Sequence, residues 1–106
     1  MTKVKIISGV CGFVTNVEAV SEDDQEVVVK IDSNCPHVTK MFSVLGDTFD
    51  AYEVCLTKPG TGPLYAYASE NFPVHCGCVT IAGITKAMEA ECKLALPKNA
   101  SITFES

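Results

Sequence analysis

His75-Cys76-Gly77-Cys78-Val79-Thr80-Ile81-Ala82-Gly83-Ile84-Thr85-Lys86-Ala87-Met88-Glu89-Ala90-Glu91-Cys92 joins a cluster of soft ligand side chains to a long apolar-periodic segment. From Val79 to Ala95, Ile81, Ile84, Met88, Cys92 and Ala95 recur at three- and four-residue steps, the period of one helix face. Lys86, Glu89 and Lys93 fall on the wet side, with Glu89 and Lys93 in the favourable i, i+4 order. Pro97 ends the segment. A helix this apolar on one side needs a surface to cover, and it begins directly behind three soft ligand side chains, His75, Cys76 and Cys78.

The surface comes from the first third of the chain. Lys3 to Ser8 alternates, with Val4 and Ile6 on one face and Lys3 and Lys5 on the other, so it reads as a half-buried strand. Ser8-Gly9-Val10-Cys11-Gly12 follows as a tight turn that presents Cys11 between two glycines. Phe13 to Val20 reads as a second strand and Glu26 to Asp32 as a third, with Val27, Val29 and Ile31 on its dry face. Between them Ser21-Glu22-Asp23-Asp24-Gln25 is a solvated acidic turn; it lacks the alternating ligands and Gly of a calcium loop.

Beyond Cys35, Pro36 suits the first position of a helix, and Val38, Met41, Phe42 and Leu45 fall on one side of it before Gly46 stops it. Asp47 is expected to cap a second short helix with Phe49, Tyr52 and Leu56 on one side. Residues 57–63 form a loop without the glycine spacing of a phosphate loop. Leu64 to Phe72 is open between a short helix and a strand. Ile102 and Phe104 alternate with Ser101, Thr103 and Glu105 and predict a closing strand, beside strand one or strand three and parallel to a neighbour. The expected fold is α+β, a two-layer sandwich. Its mixed sheet of about four strands, in β-β-β-α-α-α-β order, carries helices on one face, in a single domain over residues 1–106.

Composition narrows the function classes. The chain has 106 residues, 47% apolar and 20% charged, as globular domains do. A net charge of -5 with scattered Lys and Arg argues against nucleic-acid and anionic-membrane surfaces. The N-terminus lacks the apolar core of a signal peptide, and no stretch approaches the about 18 apolar residues of a membrane helix. The expectation is a cytoplasmic protein, whose six Cys are thiols or ligands rather than disulfides.

If strand one runs up, the Cys11 turn lies at the top, strand three ends at the top near Cys35, and the long helix starts there with His75–Cys78. Four thiols, Cys11, Cys35, Cys76 and Cys78, would then share one edge of the sheet and satisfy a tetrahedral metal site or an iron–sulfur cluster. Either His75 or His37, the two histidines, could replace a thiolate or support one by a hydrogen bond. Gly12 and Gly77 would let backbone approach the bound group closely, and two helix N-termini at Pro36 and Val79 would favour anionic ligands. Cys92, within the apolar stripe, and Cys55 read as core packing.

Gly9-Val10-Cys11-Gly12-Phe13, Asn34-Cys35-Pro36 and Ile84 through Lys98, read together, resemble a family of small uncharacterised cysteine-containing proteins of anaerobic bacteria and archaea. The likeness covers most of the chain and implies no activity. In that family the segment before the long helix is similar to His-x-x-Cys followed by prolines. His75 and Cys78 match it, Val79-Thr80-Ile81 lacks the prolines, and Cys76 is an addition. The resemblance thus puts Cys11, Cys35 and Cys78 ahead of Cys76, with His75 as a fourth ligand.

The leading expectation is a protein that binds zinc or an iron–sulfur cluster. The alternatives are a thiol-redox or cysteine-nucleophile enzyme, with Cys78 beside His75 at a helix start, and a structural interaction module whose site only holds the fold. No Ser-His-Asp or paired-carboxylate constellation stands out. A protein partner is left open.

Overall fold

A computed structural model describes residues 1–73 and 75–106. Strands β1 (Thr2–Ile7), β2 (Val14–Ser21) and β3 (Glu26–Ser33) form an antiparallel meander. Helix α1 (Pro36–Leu45), strand β4 (Thr48–Asp50) and helices α2 (Ala51–Cys55), α3 (Pro63–Asn71) and α4 (Thr80–Glu91) follow. The sheet order is β1-β2-β3-β4, every pair antiparallel. Alternation fixes the register: Val4 stands opposite Val17 and Val17 opposite Ile31, all on the helix-covered face. Lys3 stands opposite Glu18 and Glu18 opposite Lys30 on the open face. Val17, Ala19, Val27 and Val29 are buried with Met41, Leu64, Ile84 and Met88 of the helices in one core. The expected two-layer α+β fold, four strands with helices on one face, is what the chain forms.

The fourth strand is not the one the sequence pattern suggested. Phe49 buries itself opposite Val27 and packs edge-on to Phe42 at 5.8 Å. That contact draws Thr48–Asp50 onto the edge of β3. Val29 N–H donates to Asp47 O at 2.7 Å and Ala51 N–H to Gln25 O at 2.7 Å. The element order is therefore β-β-β-α-β-α-α-α and the sheet is antiparallel rather than mixed. Ile102 and Phe104 form no strand, and residues 95–106 are exposed throughout. The cap of the short helix moves accordingly: Asp50 Oδ1, not Asp47, accepts from Tyr52 N–H at 2.9 Å. The three-residue shift turns Ala51 and Val54 inward and leaves Tyr52 and Leu56 outside. Leu64 to Phe72, open in the sequence, is helical from Pro63.

Helix α4 packs across β1 and β2. Ile81, Ile84, Met88 and Cys92 are buried as the stripe predicts, whereas Ala95 lies outside the helix. Lys93 takes a left-handed φ of 61° and ends the helix before Pro97 can. Leu94 N–H donates to Glu89 O at 2.8 Å and Lys93 N–H to Ala90 O at 3.3 Å, a Schellman ending. Lys93 is thus outside the helix and pairs with Asp24 at 3.3 Å, not with Glu89. At the same end Glu91 ties the helix to the sheet: Oε1 accepts from Thr2 Oγ1 at 2.8 Å and Oε2 from Ser21 N–H at 3.0 Å. Burial pushes the Glu91 carboxyl up. The bonds from Thr2 and Ser21 and the Met1 ammonium at 3.5 Å outweigh it and hold the pKa below its ordinary 4.5.

Two stability measurements check this packing. A Cβ on Gly83 would stand 2.6 Å from Ile6 Cδ1 and Cγ1, and Ile6 is itself in the core. Gly83→Ala should therefore lower stability by about 1–2 kcal/mol in urea unfolding, although an exposed helix site would gain about 1 kcal/mol. Glu91 contributes stability that is complete above its unfolded pKa and is lost as pH falls through its lower native value. Glu91→Gln should cost about 1–2 kcal/mol at neutral pH and flatten the loss of stability on the acid side.

Candidate functional site

The cysteine edge is built from three short segments. The first is the β1–β2 connection. Ser8 N–H donates to Phe13 O at 3.1 Å, and Gly12 N–H to Gly9 O at 2.9 Å, which closes a turn around Val10 and Cys11. Gly9 and Gly12 have φ of 92° and 75°, a backbone region that other residues rarely enter, and this selects glycine there. Cys11 is exposed at the tip.

The second segment is His75–Cys78. Cys78 N–H donates to His75 O at 3.1 Å, so these four residues form a closed turn with Cys76 and Gly77 at its centre. His75, Cys76, Gly77 and Cys78 are all exposed, and nothing stands within 4 Å of where a Gly77 Cβ would lie. The Cys78 thiol donates to Thr80 Oγ1 at 3.3 Å, and Thr80 Oγ1 shares a hydrogen bond with Ser8 Oγ at 2.9 Å. The chain Cys78–Thr80–Ser8 thus couples the second turn to the stem of the first.

Cys35 is the third. It is half-buried at the N-cap of α1. Its N–H donates to Ser33 Oγ at 3.1 Å, and Ser33 Oγ shares a bond with Thr15 Oγ1 at 2.7 Å. Asn34 Oδ1 accepts from Val14 N–H at 2.9 Å, which pins the end of β3 to the start of β2. Thr15 and Thr80 are the two buried polar side chains among the described residues, and both lie at this edge with hydroxyl partners.

Cys11 and Cys35 follow the ends of β1 and β3 at one end of the sheet, and Thr80, behind the His75–Cys78 turn, meets Ser8 there. Among the described residues, no three His, Cys, Asp or Glu side chains stand together in a metal-holding group. His37 is engaged elsewhere on this edge, its ring centroid 5.7 Å from that of Phe72, which Tyr67 meets edge-on at 6.2 Å. Neither α1 nor α4 has a side-chain cap hydrogen bond at its N-terminus, whereas α2 has Asp50. Those free N–H groups face the edge where the thiols sit.

Tyr65 belongs to this edge and was not anticipated. Burial, and then the neighbouring Cys76 and Cys78, hold its hydroxyl pKa above the ordinary value of 10.0. The hydroxyls of Ser8, Thr15, Ser33 and Thr80 were equally unforeseen. Two of them carry a readable signal: Thr15 alternates with the buried Val17 and Ala19, and Thr80 precedes Ile84 and Ala87 on the dry helix face. A polar residue in a core register calls for a partner.

Cys92 is buried as expected. Cys55 points its thiol at Thr85 O, 3.8 Å away, and burial first, then Glu89 and Cys92, push its pKa up to about 12. Burial likewise raises Cys92. In native protein at pH 8, iodoacetamide followed by peptide mass spectrometry should label Cys11, Cys76 and Cys78 and spare Cys55 and Cys92 until denaturant is added.

The model of a family of unknown function (DUF6951) matches residues 2–104. No curated protein and no solved structure matches the chain.

Proposed function

The chain belongs to the DUF6951 family, and we propose that it binds a thiophilic metal ion, zinc or the iron of an iron–sulfur cluster, through Cys11, Cys35, Cys76 and Cys78. His75 is the alternative to Cys76 as a ligand. The observation that carries this reading is the pair of hydroxyl chains, Cys78–Thr80–Ser8 and Cys35–Ser33–Thr15, that tie the three thiol-bearing segments to one end of the sheet.

Thiolate and imidazole are the donors that such metals prefer, in tetrahedral sets of four. Cys11 and the pair Cys76 and Cys78 ride on exposed turns whose bases are anchored. A bound metal would be held by thiolates on these turns, the thiol protons would go to solvent, and binding energy would become stability of this edge. Open space beside Gly12 and Gly77 leaves room for close backbone approach. No helix among the described residues is long and apolar enough to cross a membrane. A reducing compartment would keep Cys11, Cys35, Cys76 and Cys78 as free thiols.

The second reading is a thiol-redox or nucleophilic enzyme. It is favoured by the Cys78 thiol, which donates to Thr80 Oγ1 in a turn that carries Cys76 two residues away. Protein purified anaerobically and analysed for metals, for acid-labile sulfide and by visible absorption separates the two. The metal reading predicts about one metal site per chain, lost together with the Cys11→Ser, Cys35→Ser and Cys78→Ser variants. Metal content below about a tenth of an equivalent, without sulfide, overturns it. Colour distinguishes a cluster from colourless zinc.

A further inference from the structure

Residues 95–106 are exposed throughout, and among the described residues no backbone hydrogen bond involves residues 99–106. Ile102 is 78% and Phe104 93% exposed, although Ser101-Ile102-Thr103-Phe104-Glu105 has the strict alternation of a half-buried strand. The family match runs through Phe104, so this segment belongs to the family's own domain. At the same time, among the described residues, β1 has a strand neighbour on one side only, β2. Its other edge offers unpaired N–H and C=O groups, and its core-facing Val4 is only half-buried.

We infer that residues 101–105 of one copy pair as a fifth strand with the free edge of β1 of a second copy, giving a symmetric homodimer by strand exchange. The pattern of each side fits the other. With Ile102 and Phe104 turned to the helix-covered face beside Val4 and Ile6, Thr103 and Glu105 fall on the open face. That face carries Lys3 and Lys5 of β1, so the single charge of the incoming strand meets two of opposite sign. The seven residues Leu94–Ala100 can span about 24 Å when extended, enough to cross between subunits. A second copy satisfies both unpartnered features of the isolated chain at once, in two equal interfaces.

Multi-angle light scattering of the full chain, reduced and with a chelator present to exclude disulfide and metal bridges, tests this. The expected result is a dimer at near-millimolar concentration. Phe104→Glu should weaken it by about a hundredfold. Because Phe104 is exposed in the single chain, that variant keeps its fold, which circular dichroism verifies. Glu105→Lys should also weaken the dimer, and Lys5→Glu in the same chain should restore it. Amide exchange at alternate residues within 101–105 should slow only as the dimer forms. A monomer with a freely exchanging tail, a monomer whose tail is protected against its own β1, or a dimer indifferent to Phe104→Glu each overturns the inference.

Discussion

The descent of helix α4 onto Ile6 at Gly83 is the contact on which the rest of this molecule depends. A side chain at that position would hold the helix off the sheet. Without one, Ile84, Ala87 and Met88 close the core over β1 and β2. Both ends of the helix are then fixed by polar contacts that the close approach makes possible. Glu91 reaches Thr2 and the Ser21 N–H at one end, and Thr80 reaches Ser8 at the other. The helix cannot slide along its axis without losing one of these anchors.

The cysteine edge inherits its geometry from that fixed helix. Thr80 holds Ser8 on one side and the Cys78 thiol on the other, so the turn that carries Cys76 and Cys78 leaves the helix in a set direction. The same logic operates at Cys35 through Ser33 and Thr15. Buried, satisfied hydroxyls form the rigid base, and exposed turns closed by backbone bonds carry Cys11, Cys76 and Cys78. This division of labour suits loop-borne ligands that settle around a bound group while the sheet stays unchanged. Helices α1 and α4 add N–H groups without side-chain caps on the same side.

Much of this was legible in the sequence because it follows from period and turn chemistry. Val4 and Ile6, Val27 and Val29, and Ile81, Ile84 and Met88 sort to the dry face by spacing alone, and Pro36 and Gly46 bound α1. Cys11, Cys35 and Cys78 could be brought to one end by tracking strand directions. Strand β4 was not legible, because three residues carry no period and its formation depends on Phe49 finding Phe42 and Val27 in space. The alternation at Ile102 and Phe104 signals a strand, but alternation says nothing of which edge, or whose, the strand will join. The lattice of Ser8, Thr15, Ser33 and Thr80 hydroxyls escaped because its partners lie far apart in the chain.

The anchored helix sets the Cys78 turn beside the stem of the Cys11 turn, through Thr80 and Ser8. A chain with Cys35 and Cys76 replaced by Ser leaves Cys11 and Cys78 as the exposed thiols, since Cys55 is half-buried and Cys92 buried. Treated when native with a short bifunctional maleimide, it should give an intramolecular Cys11–Cys78 link as the main product. The link should be lost in denaturant and slowed by Thr80→Val. Mono-adducts and intermolecular links alone, at the same rates in native and unfolded protein, would contradict the account.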